Sequence, residues 1–420
     1  MLLWKGARIL VRVAALLGLL IIAGCGASNH TMFRNPSGPY DTPQNIAAYR
    51  QAINGFQQNG GEVQALMFHV LVPGDVNYDD FLNNILPNVS GVSIGMSWNE
   101  IESSNAQGTG SGGYDFSSFD AELQPYAATG KQVNLIVWPA TEGGNNDPGH
   151  GGSTPTYVFT QAWSTTVGAP NPLDMTVCQS YKGDSSNPYY NSAKGGNGGV
   201  WNVDSSVSNA SDLSGLPVSY EAPFMVAYQN FIVQVIKHYN LATSPRIGYI
   251  RFGFSQGGEN SPECNQYWPG YSQTAYLNYV KTMTDFVKAQ NPSMTILEDL
   301  HAVGPAGQVV YGYANTEAAD AVADNFGFGT NGLQQSDIAN FGSGQPCDSN
   351  WCQLFSQYPG GVRSLQTLQW SDPTGELETG SLSTLIPFAQ QHGASNLELY
   401  LADLALAYSS DYCNYEHAVC

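Results

Sequence analysis

Eight extended segments, most of them followed by a helical pattern, predict a single α/β domain in which a parallel sheet with crossover helices closes into a (β/α)8 TIM barrel. Two further observations agree. The chain of 420 residues is long enough for one barrel with long loops. From about residue 44 onward, no composition break is long enough to act as an interdomain linker. The extended segments run from Val63 to Val72, Gly91 to Trp98, Gln132 to Trp138, Ile247 to Phe254, Met294 to Leu300, Phe326 to Leu333, Ser364 to Trp370 and Asn396 to Leu401. Between them, Phe116 to Ala128, Tyr220 to Tyr239, Thr274 to Gln290 and Ser383 to His392 carry apolar residues at spacings of three and four, the period of a helix with one buried face. Gly327, Gly329 and Gly332 make the sixth segment the weakest strand of the set. A long insertion after the third strand, from about Thr141 to Leu216, is rich in Gly, Asn, Ser and aromatic residues. An insertion of that length in a compact domain is expected to form a lid or a binding wall.

The chain starts with Lys5, Arg8 and Arg12, followed by an apolar run from Val13 to Ala23, the charged and apolar zones of an export signal. That run is shorter than the roughly 20 residues a spanning helix needs, which favours a cleaved segment. Ile22-Ala23-Gly24-Cys25 resembles the bacterial lipobox, which implies cleavage before Cys25 and lipid on its sulfur and new N-terminus. The expected organisation is a signal peptide over 1–24, a polar tether over 25–43 and the barrel over 44–420. The expected location is the bacterial cell envelope, lipid-anchored and facing the periplasm or exterior. Only 11% of residues are charged, yet the net charge is −20, so no basic patch is available to neutralise phosphates and nucleic acid is not an expected partner.

Seven cysteines less Cys25 leave six, an even count that points to disulfides in an exported chain. The two short spacings suggest Cys347 with Cys352 and Cys413 with Cys420, leaving Cys178 for Cys264. No Cys-x-x-Cys or histidine cluster accompanies them, so neither a metal nor a cofactor is expected.

The stretch from Arg246 to Asn260 holds the strongest candidate for chemistry. Tyr249, Arg251 and Gly253 alternate with Ile250, Phe252 and Phe254 in the period of a strand, and Gly257 and Gly258 then let the backbone turn. Glu259 is thereby expected at the strand's C-terminal mouth, where barrel enzymes keep their active groups.

The run Gly91-Val-Ser-Ile-Gly-Met-Ser-Trp98-Asn-Glu100-Ile-Glu102, followed by Tyr114-Asp-Phe116, Phe119-Asp120 and Gly130-Lys-Gln-Val-Asn-Leu-Ile-Val-Trp138-Pro139, resembles the second and third strand units of barrel glycoside hydrolases. It is most similar to the beta-galactosidase-like and cellulase-like members, which share a catalytic glutamate after the fourth strand. The resemblance spans roughly residues 60 to 145 and 246 to 262. It implies that Glu259 is the proton donor and that Trp98 and Trp138 lie near a sugar. A carbohydrate would be the substrate, with hydrolysis of O-glycosidic bonds as the reaction.

Cleaving a glycosidic bond needs one carboxylic acid to protonate the leaving oxygen and usually a second carboxylate to attack the sugar or activate water. Where these families place the second after the seventh strand, this chain reads Leu365-Gln366-Thr-Leu-Gln369-Trp370-Ser-Asp372, and a glutamine cannot ionise. Glu398 is the leading substitute, because its strand turns Leu397, Leu399 and Leu401 outward and Glu398 and Tyr400 inward. Glu298, Asp299 and Asp372 are lesser candidates. Asn260, His69, Tyr400 and Gln369 are expected substrate-binding residues, Arg251 is expected to pair with an interior carboxylate such as Glu398, and Glu100 and Glu102 suit a helix start. A carbohydrate-binding barrel without a nucleophile and an envelope scaffold are the alternative functions.

Overall fold

The computed structural model describes residues 39–68, 70–102, 113–140, 153–155, 176–178, 216–255, 257–262, 271–300 and 311–420. Eight parallel strands close into one barrel: β1 (Glu62–Met67), β2 (Gly91–Ser97), β3 (Gln132–Trp138), β4 (Ile247–Phe252), β5 (Thr295–Asp299), β6 (Gly327–Leu333), β7 (Arg363–Thr367) and β8 (Asn396–Tyr400). Each strand pairs with its neighbours in sequence, and β8 pairs back onto β1 with Val63 beside Leu397 and Gln64 beside Glu398. All eight expected segments are strands. The first stops at Met67 rather than Val72, and the last stops at Tyr400, because Leu401 already opens a helix. Within the insertion, Thr176–Cys178 and Leu216–Pro217 form a two-stranded antiparallel ribbon. The insertion's aromatic residues, from Tyr157 to Trp201, lie outside the described residues.

Nine helices of seven residues or more surround the barrel among the described residues: α1 (Pro43–Gln58), α2 (Ser117–Ala128), α3 (Ala222–Tyr239), α4 (Gln273–Ala289), α5 (Tyr311–Ala323), α6 (Gln335–Gly342), α7 (Trp351–Gln357), α8 (Leu382–Gln391) and α9 (Leu401–Tyr408). None is long and apolar enough to cross a membrane. Helix α1 shows how local sequence starts an element. Thr42 caps it by accepting from the Asn45 amide at 3.3 Å, and Pro43 occupies the first turn, where its missing N–H costs nothing. Tyr49, Ile53 and Phe56, spaced four and three apart, bury the face that meets α8 and α9. The described chain ends meet at this corner, with the Tyr40 amide donating to the Val419 carbonyl at 2.9 Å.

The weak sixth strand has a packing reason for its glycines. A Cβ on Gly329 would lie 2.4 Å from the Ser364 carbonyl oxygen on β7, and one on Gly327 would lie 2.3 Å from the Leu297 side chain on β5. Close approach of neighbouring strands, rather than flexibility, selects glycine there.

Most of the apolar core lies in the shell between barrel and helices, where Trp98 and Trp351 are fully buried. The barrel interior is unusually polar, with Gln64, Ser93, Asn134, Arg251, Gln366, Asn396 and Glu398 all buried. Both short-range disulfides form: Cys347 with Cys352 at the base of α7, and Cys413 with Cys420 in the C-terminal loop. The Cys178–Cys264 pairing and Cys25 lie outside the described side chains. Replacing Cys347 and Cys352 together by Ser should lower stability by about 2 kcal/mol, the loop-closure value for so short a ring. Urea denaturation of the double variant against the parent checks this.

Candidate active site

The loop after β4 folds back on its own strand, and glycine makes this possible. A Cβ on Gly253 would lie 2.0 Å from the Gly258 carbonyl group and 2.1 Å from the Glu259 nitrogen. Gly257 and Gly258 have φ of 64° and 72°, the left-handed region that glycine enters without penalty. The loop is closed by the Ser255 amide donating to the Glu259 carbonyl at 3.0 Å and the Gly257 amide donating to the Ala140 carbonyl at 2.7 Å. Glu259 therefore sits half-buried at the C-terminal mouth of the barrel. One of its carboxyl oxygens accepts from the Asn331 amide of β6 at 2.5 Å.

Beneath it, Arg251 projects from β4 into the barrel with 2% of its surface exposed. It donates through Nη1 to Glu398 on β8 and through Nη2 to Gln366 on β7 at 2.9 Å, and its Nε lies 3.4 Å from Asp299 on β5. The other Glu398 oxygen accepts from the Tyr249 hydroxyl at 2.6 Å. Burial acts to lower the Arg251 pKa, but the charges of Glu398 and Asp299 outweigh it and raise it further, with a smaller contribution from Glu259. Gln366 follows from this charge balance. Arg251 already faces two carboxylates, so an amide supplies a third acceptor without a third negative charge.

An aromatic wall flanks the mouth. Trp138 lies between the backbone of β2 and the Glu259 loop, so that a Cβ on either Gly95 or Gly258 would come within 2.7 Å of its indole. Phe68 packs on Trp138 at 5.4 Å and on Tyr400 at 5.6 Å between ring centroids. Tyr400 in turn meets the edge of half-exposed Trp370 at 6.5 Å. Burial is the main cause that raises the Tyr400 pKa, so its hydroxyl stays protonated.

No family model matches this chain, and no curated protein matches it. Among solved structures, the endo-1,4-beta-D-mannanase of Thermotoga petrophila RKU-1 aligns at a TM-score of 0.40 with 9% identity over 81% of this chain and 88% of that one. The beta-galactosidase of Bacillus circulans sp. alkalophilus aligns at 0.42 with 9% identity over 81% of this chain and 50% of that one. A 2,3-dimethylmalate lyase of the PEP mutase/isocitrate lyase superfamily aligns at 0.32 with 7% identity over 84% and 78%. Likenesses this distant assign no family or activity, and the candidate site stands on its own geometry.

That geometry corrects several expectations. Glu398, expected as the second catalytic carboxylate, has no exposed surface and both oxygens engaged, so a sugar cannot reach it. Its partner is Arg251, which was expected to pair with an interior carboxylate such as Glu398. Trp98, expected near the sugar, is fully buried in the shell. Its ring stacks on Phe231 of α3 at 5.6 Å, and its N–H donates to Glu102 at 2.6 Å. Asn260, expected to bind substrate, is also fully buried and accepts from the Phe254 amide at 3.1 Å. The loop after β7 folds around Asp372, which accepts from the Thr374, Glu376 and Leu377 amides. Burial pushes the Asp372 carboxyl up, and these bonds outweigh it and hold it below the usual range. Gln369 is half-buried in that same loop, while His69 lies outside the described residues. Asn331 and Phe68 went unrecognised, because nothing local in the sequence ties either to Glu259 or Trp138.

A separate cleft of about 580 Å³ lies at the other end of the barrel, lined by Asn240, Arg246, Gly248 and Thr295, and shares no residue with this site. Replacing Arg251 by Met would leave Glu398 and Asp299 buried without their cation. It should cost about 3–5 kcal/mol in urea denaturation. Adding Glu398→Gln should recover part of that loss, because it removes one stranded charge.

Proposed function

We propose that this chain is a carbohydrate-active barrel protein in which Glu259 donates a proton to the leaving oxygen of a glycosidic bond. The observation that carries the reading is Glu259 itself. It is a half-buried residue at the C-terminal mouth of the barrel, its carboxyl accepting from Asn331 and its loop packed against Trp138, whose aromatic cluster continues through Phe68 to Tyr400 and Trp370. A general acid must reach the substrate and be held in one direction, and an aromatic wall suits the apolar face of a sugar ring. Glu398 has no part in the reaction beyond holding Arg251, and the group that attacks the sugar or activates water is not assigned.

The sealing of Glu398 and the glutamines Gln366 and Gln369, in and just after β7, favour a second reading, in which the barrel binds a carbohydrate without cleaving it. One experiment separates the two. On a glycan that the parent protein hydrolyses, Glu259→Gln should lower kcat by roughly 10²- to 10⁴-fold with the folded state retained, and unchanged turnover would remove Glu259 from the mechanism. Binding by isothermal titration with no sugar released by the parent would establish the second reading instead.

The export signal and Cys25 support anchorage of the protein in the bacterial envelope through lipid. Cys25→Ala should move it from the detergent phase to the aqueous phase on Triton X-114 partition, and an unchanged distribution would rule out the anchor.

A further inference from the structure

Asn260, next to Glu259 in sequence, ties together both ends of the loop that presents it. Its backbone N–H donates to the Asp299 carbonyl at 2.9 Å, its side-chain oxygen accepts from the Phe254 amide at 3.1 Å, and its amino group donates to Glu298 Oε1 at 2.8 Å. With the oxygen committed to Phe254, the buried amino group must find an acceptor or remain an unpaired donor. Glu298 supplies that acceptor from the outer face of β5, away from the barrel interior, with 1% of its surface exposed.

The second Glu298 oxygen lies 2.9 Å from the Thr284 hydroxyl of α4, and that hydroxyl lies 3.0 Å from the Val280 carbonyl. Thr284 has one hydrogen for two acceptors. A neutral Glu298 resolves the conflict: its O–H donates to Thr284, Thr284 donates to Val280, and Oε1 stays an acceptor for Asn260. The charged groups nearby do not oppose this. On α5, Asp320 and Asp324 are turned toward Lys281 at 3.9 Å and Lys288 at 2.6 Å, while Glu317 faces Tyr276 and Tyr313. Lys281 also pairs with Asp285 of its own helix at 2.9 Å.

We infer that Glu298 is a positioning residue for Glu259: a neutral carboxyl behind the barrel wall that fixes Asn260 and, through it, the loop carrying Glu259. The inference rests on Glu259 being the acting group, but it is tested without relying on activity. Burial outweighs the hydrogen bonds from Thr284 and Asn260 and raises the Glu298 pKa from 4.5 to about 8. The stabilising effect of the neutral form is therefore complete below about pH 4.5 and is lost as pH rises through about 8.

Residue-resolved hydrogen exchange on the full chain reads the loop directly, through the amides of Phe254, Ser255 and Asn260. In Glu298→Met these should exchange roughly tenfold faster or more, the effect of a stranded buried donor, while amides in the middle of α4 keep their rates. In the parent, after correction for intrinsic base catalysis, protection of the three amides should fall as pH passes about 8. Glu298→Gln keeps an acceptor for Asn260 and cannot ionise, so it should hold protection across that range. Equal pH profiles for the parent and Glu298→Gln would overturn the inference even if Glu298→Met does not fold. Parent-like protection in a folded Glu298→Met would overturn it as well. Where a substrate is cleaved, the alkaline limb of kcat should shift in Glu298→Gln with KM unmoved. Loss of the hydrolytic reading with the exchange result intact would sink the function proposed for Glu259 and leave the loop device standing.

Discussion

The arrangement at the centre of this barrel depends on one buried guanidinium. Arg251 stands inside the barrel with hardly any contact with water, and a charge in that position survives only if its donors are met and its charge is balanced. Glu398 on β8 and Gln366 on β7 accept hydrogen bonds from its two terminal nitrogens, and Asp299 on β5 adds a balancing charge 3.4 Å from Nε. Four strands far apart in sequence are therefore joined through one side chain. An uncharged, branched interior of the usual barrel kind would pack without such a requirement. The polar interior gives up some packing freedom, and its partners leave the guanidinium one way to lie.

The same demand explains why the floor of the mouth is chemically quiet and its rim is not. Once Glu398 is committed to Arg251 and Tyr249, neither of its oxygens can face a ligand. Glu259 lies above, half-buried on a loop rather than a strand, and its carboxyl accepts from the Asn331 amide of β6. Arg251 still reaches it through space, since Glu259 is among the charges that act on the guanidinium. One cation thus organises the floor of the cavity and sets part of the field at its mouth.

Glycine does at this site what large side chains do elsewhere. The β4 loop can double back only because Gly253 leaves room for Gly258 and Glu259, and Trp138 can lie flat only because Gly95 and Gly258 have no Cβ. On β6, glycines allow close contact with neighbouring strands. These positions have in common a backbone or a ring where a Cβ would be, which explains how a strand with weak propensity still closes a barrel.

The strand and helix periods, the glycine turn before Glu259, the glutamines Gln366 and Gln369 and the spacing of two cysteine pairs are local features, and they were enough to determine an eight-stranded barrel with a glutamate at its mouth. Alternation also put Glu398 inside, because side-chain direction in a strand repeats every two residues. Parity says which way a side chain points but not how deep it lies or what has already claimed its hydrogen bonds. The burial of Glu398, the removal of Trp98 to the outer shell against α3, the use of Asn260 as a loop brace, and the approach of Asn331 and Phe68 all arise from contacts between segments remote in the chain. Only the closed barrel decided them, because burial and charge balance belong to the assembled interior and to no single stretch of residues.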